Sequence, residues 1–190
     1  KSKNQHNSDT IGEMSHPSVP TLFENDAILA VSKPAGVPSH SLNDETQITV
    51  ESILRRTRSD LPDLKLLHRL DNGTSGVLLF AKNQAVFDQM REQFKQKKIQ
   101  KFYRAWSNLP SDIVNVQTTH PFLKKLPFHL DLPLAHHPKS KKRMIAIEPD
   151  RKLKMRGKPF PAQTIIHGYE IKTDRIEFEV QILTGVTHQI

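Results

Sequence analysis

Residues 67–82 read "LHRLDNGTSGVLLFAK", a polar turn set between two apolar runs. No other stretch limits the possible folds as tightly. Val77–Ala81 has the continuous apolar character of a buried strand, Leu61–Leu70 reads as an extended segment, and Asn72-Gly73 is a dipeptide that favours a tight hairpin turn. The two segments are therefore expected to pair antiparallel. Asp71 stands at their junction, where a carboxylate has two uses. It can close the turn through its own side chain. It can also be presented for chemistry, anchored by Leu67 and Leu70 and surrounded by the hydroxyls and amides of Thr74, Ser75 and Gly76. Taken alone, the stretch favours the turn.

The rest of the chain supplies mixed elements. Ala27–Val31 is a short β-type run, and Pro34, Gly36 and Pro38 force a loop after it. Val50, Ile53 and Leu54 give Ile48–Arg58 the spacing of an amphipathic helix. Asn83 can cap a second helix over Gln84–Lys98, with Val86, Phe87, Met90 and Phe94 as its apolar stripe. "KFYRAWS" (101–107) alternates as a strand does. Residues 108–163 hold eight of the thirteen prolines and read as long loops with short strands. Thr164–Ile171 and Arg175–Leu183 form an expected antiparallel pair joined at Lys172-Thr173-Asp174. The first 20 residues read as a flexible tail, and residues 21–190 as one domain that is incomplete at its C-terminal end, since "TGVTHQI" has no closing signal.

Charge narrows the partners. The net charge is +8, and it is unevenly placed: residues 91–104 carry six Lys/Arg against one acid, and residues 138–158 carry nine against two. The remainder of the chain is net acidic. Clustered cations beside an acidic remainder suit a polyanion. There is no cysteine, which excludes a disulfide framework, a thiolate zinc site and a thiol nucleophile, and fits a cytoplasmic setting. No apolar run approaches a bilayer span, so no membrane is expected. His129, His136 and His137 lack metal-ligand spacing, and no glycine-rich phosphate loop occurs, so neither a metal nor a nucleotide cofactor is expected.

A resemblance changes the weight given to Asp71. "HRLDNGTSGVLLFAK" (68–82) resembles the signature H-R-L-D-x-x-T-S-G-x-L-hydrophobic-hydrophobic-A-K of the RluA family of RNA pseudouridine synthases. In the same order, "VSKPAGVPSH" (31–40) resembles the family's K-P-x-G loop, "KFYRAW" (101–106) its K-x-Y-x-A strand, and "TGVTHQI" (184–190) its T-G-R-x-H-Q-I-R motif. The resemblance implies an α+β fold, a mixed, largely antiparallel central sheet with flanking helices and an RNA-binding cleft. It implies isomerisation of uridine in RNA, without cofactor or metal, on structured rRNA or tRNA. Asp71 matches the catalytic aspartate, Tyr103 the tyrosine against the uracil ring, and Arg69 the residue that fills the stack left by a flipped base. His68, Thr74, Lys101, Arg104, Lys141, Lys142 and Arg143 are the further residues expected to touch RNA. Many relatives carry an S4 domain of roughly 60 residues before the K-P-x-G loop. No such domain fits in the stretch before that loop here, so the basic segments are expected to grip the RNA backbone. A monomer is expected, with no protein partner.

One position departs from the pattern. The family places Arg, or sometimes Lys, after T-G to pair with the aspartate, and Val186 stands there in this chain. A partly buried carboxylate without a counter-charge is a weaker nucleophile near neutral pH. Arg69 or Lys33 is nearest in the motifs to replace that cation. Alternatively, the chain is a non-catalytic RNA-binding module on the same fold.

Overall fold

A computed structural model describes residues 17–41, 46–108, 125–140, 142–150 and 153–190. The expected tail up to residue 16, and Lys141, lie outside the described residues. The chain divides into two compact units, one running to Arg91 and the other from Glu92 to Ile190.

The first unit is a four-stranded antiparallel sheet with a helix. Strands β1 (Thr21–Glu24), β2 (Ile28–Lys33), β3 (Lys65–Leu66) and β4 (Gly76–Ala81) are ordered β1-β2-β4-β3. The two central strands carry the apolar runs. Leu29, Val31, Leu78 and Phe80 are fully buried, joined in the core by Val50, Ile53 and Leu54 of α1 (Val50–Thr57). The i, i+3, i+4 spacing thus seats α1 by one face, as expected. Thr49 caps α1: its Oγ1 accepts from Ser52 N at 3.0 Å, and Ser52 Oγ accepts from Thr49 N at 2.9 Å. An ion-pair group ties β1 to the far ends of α1 and β4. Arg58 grips Glu24 with two donors at 2.8 and 2.9 Å and also pairs with Asp60, while Lys82 reaches Glu24 at 2.6 Å.

The hairpin expectation is corrected in its geometry. β3 and β4 do pair antiparallel, through Lys65–Ala81 and Leu66–Phe80, and Leu67 N donates to Leu79 O at 2.9 Å. Beyond Leu67 the strands part, and nine residues (67–75) separate β3 from β4. A two-residue type I′ turn needs positive φ at both central residues. Neither Asn72 nor Gly73 has one. The turn that forms is local, from Asp71 to Thr74, closed by Thr74 N to Asp71 O at 3.0 Å.

Helix α2 (Gln84–Lys95) starts where expected, with Asn83 Oδ1 accepting from Val86 N at 2.9 Å. It ends three residues before the expected Lys98. Lys97 turns left-handed (φ 55°), with Lys97 N bonded to Phe94 O and Lys98 N to Gln93 O, a Schellman closure.

The second unit holds two antiparallel sheets. Strands β5 (Lys101–Asn108), β6 (Phe128–Asp131), β10 (Gln163–Ile171) and β11 (Arg175–Ile182) are ordered β5-β11-β10-β6. Strands β7 (Leu134–His136), β8 (Met144–Ala146) and β9 (Arg156–Phe160) are ordered β8-β7-β9. The β10–β11 hairpin closes at the expected residues, Lys172 N donating to Arg175 O at 2.8 Å. Its core is thinner than that of the first unit: Ala135, Ala162, Ile176, Val180 and Ile182 are its buried apolar side chains among the described residues. Every strand pairing among the described residues is antiparallel, where the expectation was a mixed, largely antiparallel sheet.

Candidate active site

Lys33 ends β2 opposite Gly76, the first residue of β4, so the segment leaving one strand runs beside the segment entering the other. The first of these, residues 34–39, holds the second, residues 67–75, by its main chain. Gly36, whose left-handed φ of 83° suits only glycine at low cost, donates its N–H to Asn72 O at 2.8 Å. Ser39 is buried, and its Oγ both donates to Leu70 O (2.9 Å) and accepts from Leu70 N (3.1 Å). The Lys33 ammonium donates to Asn72 O at 3.1 Å and Thr74 O at 2.7 Å. The main chain is therefore fixed at Leu70, Asn72 and Thr74, and half-buried Asp71 lies inside that span.

The neighbouring motif residues divide by role. His68 Nε2 accepts from Leu79 N at 3.3 Å, which ties its ring to β4. Arg69 is exposed on the loop, where a guanidinium can reach a ligand. Thr74 is half-buried and contributes its carbonyl to the Lys33 ammonium. Leu67 and Leu70, expected as anchors, are both buried.

The other candidates lie in the second unit. Tyr103 sits on β5 opposite Val180 of β11, and Lys101 sits opposite Ile182. Strand alternation puts Lys101 and Tyr103 on one half-buried face, and Phe102, Arg104 and Trp106 on the other, which is exposed. Arg104 therefore does not share a face with Tyr103; it lies opposite Glu179 of β11 and adds a small pull on the Glu170 carboxyl, which Lys172 holds below its ordinary range. Lys101 Nζ donates to Thr184 O at 3.5 Å, and burial pushes its ammonium pKa down. It lines a cavity of about 390 Å³ with Phe94, Ile99, Gln163, Gln181 and Gly185. Lys142 and Arg143 are exposed in the connection from β7 to β8, which His137 N closes on Arg143 O at 2.9 Å.

The turn at residues 184–190 is built around Gln189. Its Oε1 accepts from Thr184 Oγ1 (2.9 Å) and Val186 N (3.1 Å), and its Nε2 donates to Gln163 O (2.9 Å) and Thr164 Oγ1 (3.0 Å). Val186 contributes its backbone to this turn and a half-buried apolar side chain. The histidines in the proline-rich region have other occupations. His136 packs edge-on against Phe160 at 5.7 Å, and His137 Nδ1 accepts from Lys139 N. Among the described residues, no group of three His, Cys, Asp or Glu could hold a metal ion, and no helix is long and apolar enough to cross a membrane. Ser39 and Gln189 were not singled out from the sequence. Both bond to main chain far away in the sequence, and local pattern carries no signal for that.

The fold is that of pseudouridylate synthase domains. Human RNA pseudouridylate synthase domain containing 1 superposes with a TM-score of 0.66 at 19% identity, over 93% of this chain and 65% of that one. Human domain containing 4 superposes with a TM-score of 0.61 at 20% identity, over 89% and 60%. In sequence, the pattern of the RNA pseudouridylate synthase family matches residues 27–190, and the chain belongs to that family. It is 39% identical over 84 residues to ribosomal large subunit pseudouridine synthase C of Rickettsia bellii, covering 44% of this chain and 28% of that protein. It is 37% identical over 107 residues to the Escherichia coli protein of the same name, covering 55% and 33%. Dual-specificity RNA pseudouridine synthase RluA of Vibrio vulnificus is 32% identical over 105 residues, covering 50% and 38%. The chain thus spans between about a quarter and two fifths of the length of these curated relatives.

Proposed function

We propose that the chain isomerises uridine to pseudouridine in structured RNA, ribosomal or transfer, with Asp71 as the catalytic carboxylate. The observation that carries this is the seating of Asp71: the main chain is gripped on both sides of it, from residues far away in sequence, more firmly than a surface turn requires. A carboxylate that must meet a sugar–base bond needs that fixed backbone. The names of the curated relatives, a ribosomal large subunit pseudouridine synthase and a dual-specificity RNA pseudouridine synthase, support the substrate class.

The reaction conserves atoms. The N1–C1′ bond breaks, the uracil turns, C5 bonds to C1′, and the proton on C5 is lost while N1 gains one. The target nucleotide has to leave its stack, at a cost of a few kcal/mol. Arg69, exposed on the same loop as Asp71, has the planar cation that stacks on bases and pairs with phosphate. Tyr103 supplies an aromatic face for the uracil. Lys142 and Arg143 bind phosphate on the exposed β7–β8 connection. Lys101 offers a further cation; Arg104, on the opposite face of β5 from Tyr103, contacts backbone away from the base.

The test is tritium release from RNA labelled at uridine C5. Release is expected from the protein and is expected to vanish in Asp71→Asn while RNA binding persists. Release that survives Asp71→Asn refutes the assignment. A second reading, a non-catalytic RNA-binding module, is favoured by Val186 at the place of the family's cation. It predicts RNA binding with no release from the protein, from Asp71→Asn or from Val186→Arg.

A further inference from the structure

The ammonium of Lys33 has a carbonyl for each of its three N–H bonds. Lys101 does not. Its Nζ meets one acceptor among the described residues, Thr184 O at 3.5 Å, the outer limit of a hydrogen bond. An ammonium has three N–H bonds, so at least two of them have no protein partner there. Burial pushes the pKa of this half-buried group down, and no carboxylate offsets that. Gly185 keeps the space beside it open. A Cβ at that position would stand 3.2 Å from Nζ, tighter than ordinary van der Waals contact, although the backbone there has no positive φ that calls for glycine.

Lys101 faces the cavity of about 390 Å³, which lies wholly in the second unit. Its wall holds two more lysines, Lys95 and Lys97, both exposed, and no carboxylate. Two acids stand outside that wall: Glu92, 3.9 Å from Lys95 Nζ, and Asp131, which accepts from Gln163 Nε2 at 3.2 Å. Lys95 and Lys97 alone would be an ordinary complement to the C-terminal end of α2. Lys101 stands on β5, independent of the helix, and adds a partly desolvated cation whose donors are unused. The helix end does not fill the cavity with bare carbonyls, because those of Glu92, Gln93 and Phe94 accept from Gln96 N, Lys98 N and Lys97 N. The wall at Thr184 is preformed: its Oγ1 accepts from Gln163 N and donates to Gln189 Oε1, both at 2.9 Å. The volume falls within the range of small-molecule sites, about 300–1,000 Å³. A bare phosphate ion would leave most of it empty, and Phe94 and Ile99 supply apolar wall for the remainder of a larger ligand.

We propose that this cavity binds the phosphate of a nucleotide, with the Lys101 ammonium innermost, Lys95 and Lys97 at the mouth, and the sugar and base against Phe94 and Ile99. The nucleotide is one unit of an RNA strand or a free nucleotide, and the chemistry of recognition is the same for both. Only the first source rests on the reading of the chain as acting on RNA. None of the residues on the loops around Asp71 belongs to the cavity wall, so binding here does not require that carboxylate.

The probe is adenosine 5′-monophosphate, which is not the uridine of the proposed reaction, with adenosine as the uncharged control. In the full chain labelled with nitrogen-15, the nucleotide is expected to shift the amide signals of Ile99, Lys101, Thr184 and Gly185 to saturation, and adenosine to bind at least about tenfold more weakly. Lys101→Met should raise Kd about tenfold, the loss of one charge-assisted hydrogen bond. The double variant Lys95→Gln with Lys97→Gln, at exposed positions, should raise it about two- to fivefold. Lys172→Gln, at the β10–β11 turn, should leave it unchanged. No saturable shift at these amides, a Kd unmoved in Lys101→Met, or an equal loss in Lys172→Gln overturns the proposal. If Lys101→Met does not fold, the double variant decides, and an unchanged Kd there overturns the proposal as well. A short single-stranded RNA then separates the sources: displacement of the nucleotide assigns the cavity to the strand, and its retention at saturating RNA assigns the cavity to a free nucleotide. No step needs turnover, so a chain that releases no tritium counts against the proposed reaction and not against this site.

Discussion

Ser39→Ala removes one oxygen atom and leaves two main-chain groups, Leu70 N–H and C=O, without the partner they share. Ser39 is 3% exposed and Leu70 is 8% exposed, so water does not reach them from outside. The space left by a hydroxyl is smaller than a water molecule needs. An unsatisfied buried polar group costs about 1–3 kcal/mol. Two such groups, with some relaxation, put the expected loss at about 2–4 kcal/mol. Thr49→Ala is the natural comparison, because Thr49 is equally buried but only caps α1. Its loss should be about 1 kcal/mol. Urea unfolding of both variants, read from the midpoint at unchanged m, measures the two numbers. The variants should also differ in kind. Ser39→Ala loosens a loop anchor one residue before Asp71, so it should speed amide exchange at Leu70 and lower kcat for tritium release. Thr49→Ala should leave both near wild type under conditions where it is folded. A Ser39→Ala chain within about 0.5 kcal/mol of wild type would refute the claim that this hydroxyl holds the loop.

Two further outcomes follow from charge. Arg58 and then Lys82 hold the Glu24 carboxyl down from 4.5 to about 2, so the stability it contributes is present above pH 4.5 and is lost as the pH falls towards 2. Acid unfolding of Glu24→Gln should lack that component, and wild-type and variant curves that stay parallel from pH 5 to pH 2 would contradict it. On the RNA side, Lys142→Ala and Arg143→Ala should each lower the slope of log K against log salt by about 0.7–0.9, depending on whether the contacted RNA is single- or double-stranded. Filter binding across a salt series measures this, and a slope unchanged in the double variant would remove the β7–β8 connection from the RNA interface.

What could be read from the sequence was whatever local pattern decides. The alternation of 101–107 gave β5, the Val50–Ile53–Leu54 spacing gave α1, Asn83 gave the start of α2, and Lys172–Asp174 gave the hairpin turn, each within a residue or two. The family signature placed Asp71 on a loop that the fold then displays. What was misread or hidden at the aspartate loop has one cause. Asn72-Gly73 carries a strong local signal for a tight turn, yet bonds from residues 33, 36 and 39 hold that loop open, across 31 to 41 residues of chain. The burial of Lys33 is hidden for the same reason. At the end of an apolar strand a lysine reads as a solvated terminus, and the buried ammonium is made tolerable by the carbonyl of Pro34 together with the distant carbonyls of residues 72 and 74. The end of α2 is set by a left-handed Lys97, a conformation that lysine composition does not announce.

The hold of residues 33, 36 and 39 on the aspartate loop is made to peptide groups: carbonyls at 70, 72 and 74 and an amide at 70. It is therefore indifferent to which side chains the loop carries at 72 and 73. Both of those are exposed, and neither uses a left-handed backbone, so even Gly73 is not bound to remain glycine. The two unspecified letters of the signature next to the aspartate thus coincide with the two places where mutation is cheap. Substitution at these two exposed positions changes the surface immediately beside Asp71 and leaves in place the backbone contacts that hold the loop.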